Sequence, residues 1–282
     1  MKYNPGVSRP LRGARHDPRD VAELRALAER QPELSGAALL QIELVDALRR
    51  VQTRVATASI ALTTDALQQR LASGRRLVDF ETLPIDWNEA RLLFRQITDV
   101  LRRHDAVDHL GAMRLHDIGR SAELLTLARQ WFDSGASDGG VDMLDEVIAW
   151  SMRPFLMRTA DVIQQRLTFA DWQRGTCPIC AGEPDLAFIS PAAERHLVCS
   201  RCQTRWPTDP MACPFCGEAD RQRITSFATP DGTYRVTACQ TCQRYLKTLD
   251  GRRAGRPVIP TLDSIATLPL DAVVMQRGFS NG

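Results

Sequence analysis

Eight cysteines, all between positions 177 and 242, are the residues whose type and spacing most clearly suggest chemistry. A CxxC turn brings two thiolates towards one ion while nearby amide N–H groups donate hydrogen bonds to the sulfurs, and two such turns complete a tetrahedron. Because no cysteine lies outside a CxxC pair, the sequence predicts two four-cysteine metal sites. The predicted ligands are Cys177, Cys180, Cys199, Cys202, Cys213, Cys216, Cys239 and Cys242.

The cysteine region is also an internal repeat. The segment CPICAGE that begins at Cys177 resembles CPFCGE at Cys213, and each is followed by two β-rich runs and a second CxxC pair. An aromatic residue, Trp206 or Tyr245, then closes each repeat. The repeat favours one ion for the first two pairs and another for the last two, while a cross-braced arrangement of alternate pairs stays open.

Cysteines with this spacing could bind zinc, bind iron or carry out thiol–disulfide exchange. Zinc and iron both accept a tetrahedron of four sulfurs, so the spacing does not choose between them. Thiol–disulfide exchange uses one exposed CxxC pair, usually at the start of a helix in a βαβ unit. Four repeated pairs on predicted hairpins favour metal binding instead.

The other candidate sites are weaker. His104, His109 and His116 lie near aspartates but match no HExxH-like spacing, so we expect surface or helix-capping roles for them. We expect His196 on a strand, facing solvent. The sequence contains no GxxxxGK[ST] loop, no GxGxxG motif after a strand and no GxSxG elbow, and we predict that the protein is not an enzyme.

Residues 20–172 have the apolar periodicity of α-helices, which predicts an all-α domain of five to seven helices. A first helix is expected near residues 21–28. A longer helical segment is expected to begin at Ser35 or the next residue and to end at Gly74, with β-branched residues favouring a bend at 57–64.

Three further helices are predicted in this domain. Asp86 is a plausible N-cap, and Glu89 three residues later would complete a capping box. Pro154 is expected to interrupt or kink the last helix, because proline lacks the backbone N–H that continues the hydrogen-bond ladder. These helices are predicted over 87–104, about 120–132 and 141–172, with a break at 134–140.

After residue 172, short apolar strands, prolines and glycines replace the long helices. The sequence therefore predicts a multidomain fold: an N-terminal all-α domain followed by two tandem rubredoxin-like or zinc-ribbon-like four-cysteine modules. The predicted boundaries are 1–19 for a flexible arm, 20–172 for the helical domain, 173–208 and 209–250 for the two modules, and 251–282 for a tail with a basic, flexible start.

Charge and hydropathy argue against two classes of partner. The 282 residues include 36 basic and 34 acidic side chains, and the two signs also balance within 177–250. Four thiolates around one ion add negative charge, which is the wrong sign for binding phosphates, so we expect no nucleic acid. Without a visible signal peptide or a run of about 18 apolar residues, a cytoplasmic protein with no membrane insertion is expected.

A helical domain followed by four CxxC pairs resembles the formate dehydrogenase accessory (formation) protein family. The matching motifs are CPIC from Cys177, LVCSRC up to Cys202 with Trp206 four residues later, CPFC from Cys213, and CQTCQRYLK from Cys239. Segment 263–271 is also similar to that family's C-terminal segment. The likeness is specific over 177–271 and architectural over 20–172. It departs at Ala181, where a glycine commonly follows the second cysteine.

This resemblance implies a cytoplasmic accessory protein required for assembly or maturation of respiratory formate dehydrogenase. It also implies binding to the catalytic subunit of that enzyme before export, and rubredoxin-like iron sites held by the eight cysteines, with zinc as an alternative or substitute. Two other functions stay open: a zinc-ribbon module that binds protein or nucleic acid, and a rubredoxin-like electron carrier. The large helical domain would be superfluous for a simple carrier.

Overall fold

The computed structural model of the chain describes residues 19–56, 60, 62–134 and 143–280. The predicted N-terminal arm lies outside the described residues except for its last residue. Nearly all of the predicted break at 134–140 and half of the predicted bend at 57–64 also lie outside them.

Seven α-helices form the N-terminal part of the described chain, in agreement with the predicted all-α domain. Two short 3-10 turns, Pro32–Leu34 and Phe80–Thr82, lie between them. The helices are α1 (Arg19–Arg30), α2 (Ser35–Gln52), α3 (Thr64–Ala72), α4 (Trp87–Arg103), α5 (His109–Arg120), α6 (Glu123–Ser134) and α7 (Met143–Gln164).

The helix boundaries correct the sequence prediction in three places. The long segment that begins at Ser35 consists of two helices, α2 and α3, and helix α5 was not predicted at all. Helix α7 continues through Pro154 and ends at Gln164 rather than near residue 172. Pro154 is buried in the helical core, and packing of this kind offsets the loss of one backbone hydrogen bond.

The start of α4 follows the sequence prediction in part. The Asp86 carboxylate accepts hydrogen bonds from the backbone N–H groups of Asn88 at 2.9 Å and Glu89 at 3.2 Å, which confirms Asp86 as the N-cap. The Glu89 carboxylate is held by the guanidinium of Arg54 at 2.8 and 2.7 Å, so it ties α4 to the end of α2 instead of closing a capping box.

The cysteine region forms one continuous sheet in the order β3-β2-β1-β6-β5-β4. Each predicted module supplies three antiparallel strands, and the modules meet where β1 and β6 pair in parallel, with Leu186 opposite Lys247 and Ile189 opposite Asp250. All six residues of β6 are buried. The strands are β1 (Pro184–Ile189), β2 (Arg195–Cys199), β3 (Arg205–Pro207), β4 (Ile224–Ala228), β5 (Tyr234–Cys239) and β6 (Tyr245–Asp250).

The C-terminal segment folds onto both parts of the molecule. It contains helices α8 (Gly251–Ala254), α9 (Pro260–Ala266) and α10 (Leu268–Met275). Leu262 of α9 packs in one apolar cluster with Leu24 of α1, and Val274 of α10 packs in another with Tyr245 of β6. The start of this segment, which was expected to be flexible, is a short helix capped by the Asp250 carboxylate.

Within the residues that the structure describes, no helix combines the length and the apolar character that a membrane crossing requires.

Candidate metal centres

The structure gathers the eight cysteines into two groups of four, which we call centre 1 and centre 2. Within each group the sulfur atoms all lie within 4.8 Å of one another. The shortest Sγ–Sγ distances are 3.5 Å in centre 1 and 3.7 Å in centre 2, close to the edge of about 3.8 Å expected for a tetrahedron with 2.3 Å metal–sulfur bonds. Centre 1 comprises Cys177, Cys180, Cys199 and Cys202, and centre 2 comprises Cys213, Cys216, Cys239 and Cys242.

This grouping is the consecutive arrangement that the repeat favours, and it is not cross-braced. The donor set is four sulfurs without a histidine or carboxylate, which suits zinc or iron rather than calcium or magnesium. Either centre could therefore hold one ion with all four of its cysteines.

All four CxxC turns share one backbone conformation. In each turn the N–H of the first cysteine donates to the carbonyl oxygen five residues later, at 2.8 to 2.9 Å. The residue directly after the second cysteine has a positive φ in every case. These residues are Ala181 (58°), Gln203 (59°), Gly217 (77°) and Gln243 (57°). The internal repeat seen in the sequence is thus a repeat of turn geometry.

In the first turn the glycine lies at position 182, one residue later than in the family pattern, and its position has a steric cause. Ala181 adopts the left-handed conformation that favours glycine, so the turn forms despite its departure from the family pattern. A Cβ atom on Gly182, by contrast, would lie 3.1 Å from Cys199 Sγ and 2.8 Å from the Arg201 side chain. Glycine is therefore required at position 182 by the close approach of the second turn of centre 1.

Centre 1 lies inside the hydrophobic core that joins the helices to the sheet. Its four cysteines are between 0% and 1% exposed, and they belong to the same apolar cluster as the helical core. The loop after α3 binds the first turn directly: Leu77 N donates to Pro178 O at 2.9 Å and Val78 N donates to Ile179 O at 3.1 Å. The helical domain thus forms part of the wall of this centre.

Two arginines attach the second turn of centre 1 to the helices. The Arg201 guanidinium donates to the carbonyl oxygens of Trp131 and Phe132 at the end of α6, both at 3.0 Å. Arg153 of α7 donates to Ser200 O at 2.9 Å. These bonds place positive charge beside a group of four thiolates, where it offsets their charge.

Arg153 also belongs to a cluster of charged groups, in which Arg153 and Asp185 are half-buried and Glu146 is exposed. Burial lowers the pKa of the Arg153 guanidinium, and the carboxylates of Asp185 and Glu146 oppose that shift. Partial loss of hydration raises the pKa of both carboxyl groups. Opposite charges therefore partly offset one another beside centre 1.

Burial raises the pKa of Cys177 and Cys199 well above the ordinary value of 9.0, since a thiolate loses its hydration in the core. Burial acts in the same direction on Cys202, but hydrogen bonds from the other cysteines and Thr204 outweigh it and lower the pKa of that thiol. Without an ion Cys177 and Cys199 hold their protons at neutral pH, and an entering metal ion must displace them.

Centre 2 lies at the surface. Cys213 and Cys239 are buried, Cys242 is half-buried and Cys216 is exposed. On one side the Arg244 guanidinium stacks on the Phe215 ring at 3.7 Å and forms a two-point ion pair with the Glu183 carboxylate at 2.9 and 2.6 Å.

A buried arginine of the first module also supports centre 2. Arg195 of β2 donates to Asp209 O at 3.4 Å and to Ala212 O at 3.2 Å, directly before Cys213. With the Arg244–Glu183 pair, it fixes the outer centre to the first module.

The structure does not bring the predicted histidine candidates into a metal cluster. His104 Nε2 lies 2.9 Å from the Glu43 carboxylate, and His116 Nε2 lies 3.1 Å from the Asp99 carboxylate. His196 is half-buried and its ring stacks on Phe188 with a centroid distance of 5.0 Å, so it does not simply face solvent. Among the described residues, the two cysteine groups are the metal-binding clusters that the structure contains.

Sequence reasoning missed the arginines around the centres. Arg153 lies outside the cysteine region, and Arg195 lies on β2 rather than in a CxxC turn, so no motif marks either of them. Arg201 lies inside a CxxC pair, and this position was the one signal that could have marked it.

The sequence of this chain is similar to those of known proteins. The chain matches no model of a known protein family. It is similar to an FdhE homolog from Aquifex aeolicus, with 24% identity over 264 residues that cover 90% of this chain and 88% of the relative. It is also similar to an FdhE homolog from Erwinia tasmaniensis, with 26% identity over 270 residues that cover 93% and 85% of the two chains.

A solved structure shows the same fold. The crystal structure of the FdhE protein from Pseudomonas aeruginosa covers 93% of this chain and 92% of its own, with a TM-score of 0.68 and 18% sequence identity.

The helical domain and the sheet with two four-cysteine groups define a zinc-ribbon-like, metal-binding class of protein. Within that class, the chain is similar to FdhE proteins over nine tenths of its length. Its resemblance to the formate dehydrogenase accessory protein family is thereby confirmed.

Proposed function

We propose that this protein is a cytoplasmic accessory factor required for assembly or maturation of a respiratory formate dehydrogenase, and that it does not itself catalyse a reaction. The proposal is supported by the similarity to FdhE proteins along nearly the whole chain. The structural observation that carries it is the position of centre 1, which lies in one core with the helical domain. An ion there would rigidify the helices that we propose as the partner surface.

The proposed partner is the catalytic subunit of that enzyme. The helical domain is large compared with the strands and turns that hold the cysteines, and this size is consistent with a surface for a protein partner. Neither nucleic acid nor membrane insertion belongs to the proposal, since basic and acidic residues balance along the chain.

We propose iron as the ion in both centres, with zinc as a substitute. Iron held by four thiolates supplies a one-electron couple between its ferrous and ferric states. The residues of this chain hold the thiolates in a tetrahedron through the four CxxC turns, and Arg153 and Arg201 offset the added negative charge at centre 1. The helical core excludes water from the same centre.

Metal identity is tested on protein purified without oxygen from its native host. A red protein with about two irons per chain that is bleached by dithionite supports the proposal, because one ion is expected for each four-thiolate group. Colourless protein that contains zinc alone contradicts the iron assignment. Comparison of native with overexpressed protein shows whether zinc has replaced iron during overexpression.

The role in assembly is tested in cells and with purified protein. The tagged full-length chain should retain the catalytic subunit of formate dehydrogenase, and deletion of its gene should abolish respiratory formate oxidation. A matched strain that carries Arg25→Lys, a change at an exposed position of α1, should keep full activity. A deletion strain with normal formate oxidation would contradict the proposed function.

A further inference from the structure

The two centres differ in how far a dissolved molecule can approach their sulfur atoms. The four sulfurs of centre 1 belong to residues that are at most 1% exposed, whereas Cys216 of centre 2 is exposed and Cys242 is half-buried. The turns themselves are equivalent, so the difference comes from what covers them. This contrast suggests that the two centres have separate roles.

We propose that centre 2 is an exchangeable metal centre open to small thiols, whereas centre 1 is a permanent structural centre. This inference rests on the proposed function in one respect, namely that both centres hold a metal ion. It goes beyond that function by assigning the exchange of metal, and reaction with thiols, to one centre alone.

Centre 1 is closed on the helical side by hydrogen bonds that end on main-chain carbonyl oxygens. The hydrogen bonds from Leu77 and Val78 to the first turn, and from Arg201 to the end of α6, must break before a molecule reaches its sulfurs from that side. Those contacts are part of the main hydrophobic core, so access requires loss of the packing that stabilises the whole fold.

Centre 2 is covered only in part, since Cys216 is exposed and Cys242 is half-buried. Phe215 and Arg244 lie over it, but a Cβ atom on Gly217, next to Cys216, would meet no other atom within 4 Å. The exposed residue Cys216 is therefore next to a position with open space around it. A small thiol can approach this edge without unfolding of the sheet.

The exchange step needs no oxidant. The sulfur of an entering thiol forms a bond to the ion, the bond between the ion and Cys216 Sγ breaks, and the thiol proton passes to the released Cys216 sulfur. Cys213, Cys239 and Cys242 keep the ion in place. A second exchange or a chelator can then remove it, while centre 1 stays loaded.

The test uses the full chain loaded with two zinc ions, mixed with glutathione and a coloured zinc chelator. One zinc per chain is expected to leave at least about 100-fold faster than the other, because the second requires global rather than local opening. Circular dichroism should stay unchanged during the fast phase, and the slow zinc should appear only in unfolding concentrations of urea. Release of both ions at one rate would overturn the inference.

Two further measurements assign the fast phase to a centre. Cys216→Ser should bind one zinc and lose the fast phase, whereas retention of that phase would contradict the assignment. The zinc-loaded protein without substitutions is treated briefly with iodoacetamide and analysed by mass spectrometry. Cys216 should be alkylated first, while Cys177 and Cys199 stay protected. Equal alkylation of these three cysteines would overturn the inference even if the variant failed to fold.

The outcomes separate this inference from the proposed function. A chain that takes up neither zinc nor iron would overturn the metal centres and this inference together. A chain that binds two ions and releases them at one rate would overturn only the difference between the centres.

Discussion

Arg201 and Trp131 are joined twice: the Arg201 guanidinium donates to the Trp131 carbonyl oxygen at 3.0 Å and lies 4.3 Å from the centre of the Trp131 ring. Arg201 lies between two cysteines of centre 1, and Trp131 lies near the end of α6. The Arg201 side chain therefore joins a CxxC turn of centre 1 to helix α6.

Replacement of Arg201 by lysine should destabilise the protein by about 2–4 kcal/mol, because a lysine cannot bond both carbonyl oxygens while stacking on the ring. Urea unfolding followed by circular dichroism measures the change. Arg25→Lys, on the exposed face of α1, is the matched control and should change stability by less than about 0.5 kcal/mol. Equal effects of the two substitutions would show that the Arg201 contacts do not support the fold.

The residues directly after the CxxC pairs have a left-handed backbone conformation. We therefore expect two substitutions at these positions to change stability in opposite directions. Ala181→Gly should stabilise the protein by about 0.5–1 kcal/mol, since it relieves a positive φ of 58° at an exposed position. Gly217→Ala should destabilise by a similar amount, because its added Cβ meets open space and only the backbone is strained. Thermal unfolding of the loaded protein compares them, and a stabilising Gly217→Ala would contradict the argument.

Double substitutions distinguish consecutive grouping of the cysteines from a cross-braced arrangement. Cys213→Ala with Cys239→Ala damages only centre 2, so the protein should keep one metal ion per chain. Cys177→Ala with Cys213→Ala damages both centres and should leave none. Metal analysis by mass spectrometry gives the stoichiometry, and a cross-braced arrangement would give the reverse pair of results.

In the hairpin between β4 and β5, we expect the Asp231 carboxylate to stabilise the fold and to lose this effect at low pH. Hydrogen bonds from the Thr229 and Thr233 hydroxyls, at 2.5 and 2.7 Å, lower the pKa of Asp231 from 3.8 to about 2. A lowered folded-state pKa means that the carboxylate stabilises the hairpin above pH 3.8 and that this contribution is lost as the pH falls towards about 2.

Carboxyl titration by NMR measures this pKa directly. Replacement of both threonines by valine should move the pKa back towards 3.8, because valine has a similar shape and no hydroxyl donor. An unchanged titration in this variant would show that the two hydroxyls are not the cause.

The candidate centres were predictable because their chemistry is local. A CxxC turn with its hydrogen bonds lies within about seven consecutive residues, and the similarity of the turns at Cys177 and Cys213 already indicates the consecutive grouping. What surrounds each centre depends on distant contacts. The bond from Leu77 to Pro178 joins residues separated by about a third of the chain, and no spacing in the sequence announces it.

The helices illustrate the same difference. Helix α4 was predicted closely because Asp86 caps it and its apolar residues recur at helical spacing. Helix α5 was missed because its exposed side carries Leu110 and Met113, which obscure the amphipathic pattern. The passage of α7 through Pro154 depends on the surrounding core, which a local rule about proline does not include.

The parallel pairing of β1 with β6 has a consequence for synthesis of the chain. Strand β1 emerges from the ribosome first, but its parallel neighbour is the last strand of the sheet to be made. Until residue 250 has been added, one side of β1 is an unpaired strand edge, the kind of surface that invites aggregation. The nascent protein therefore passes through a period in which its future central strand is exposed, and truncation before β6 would make that exposure permanent.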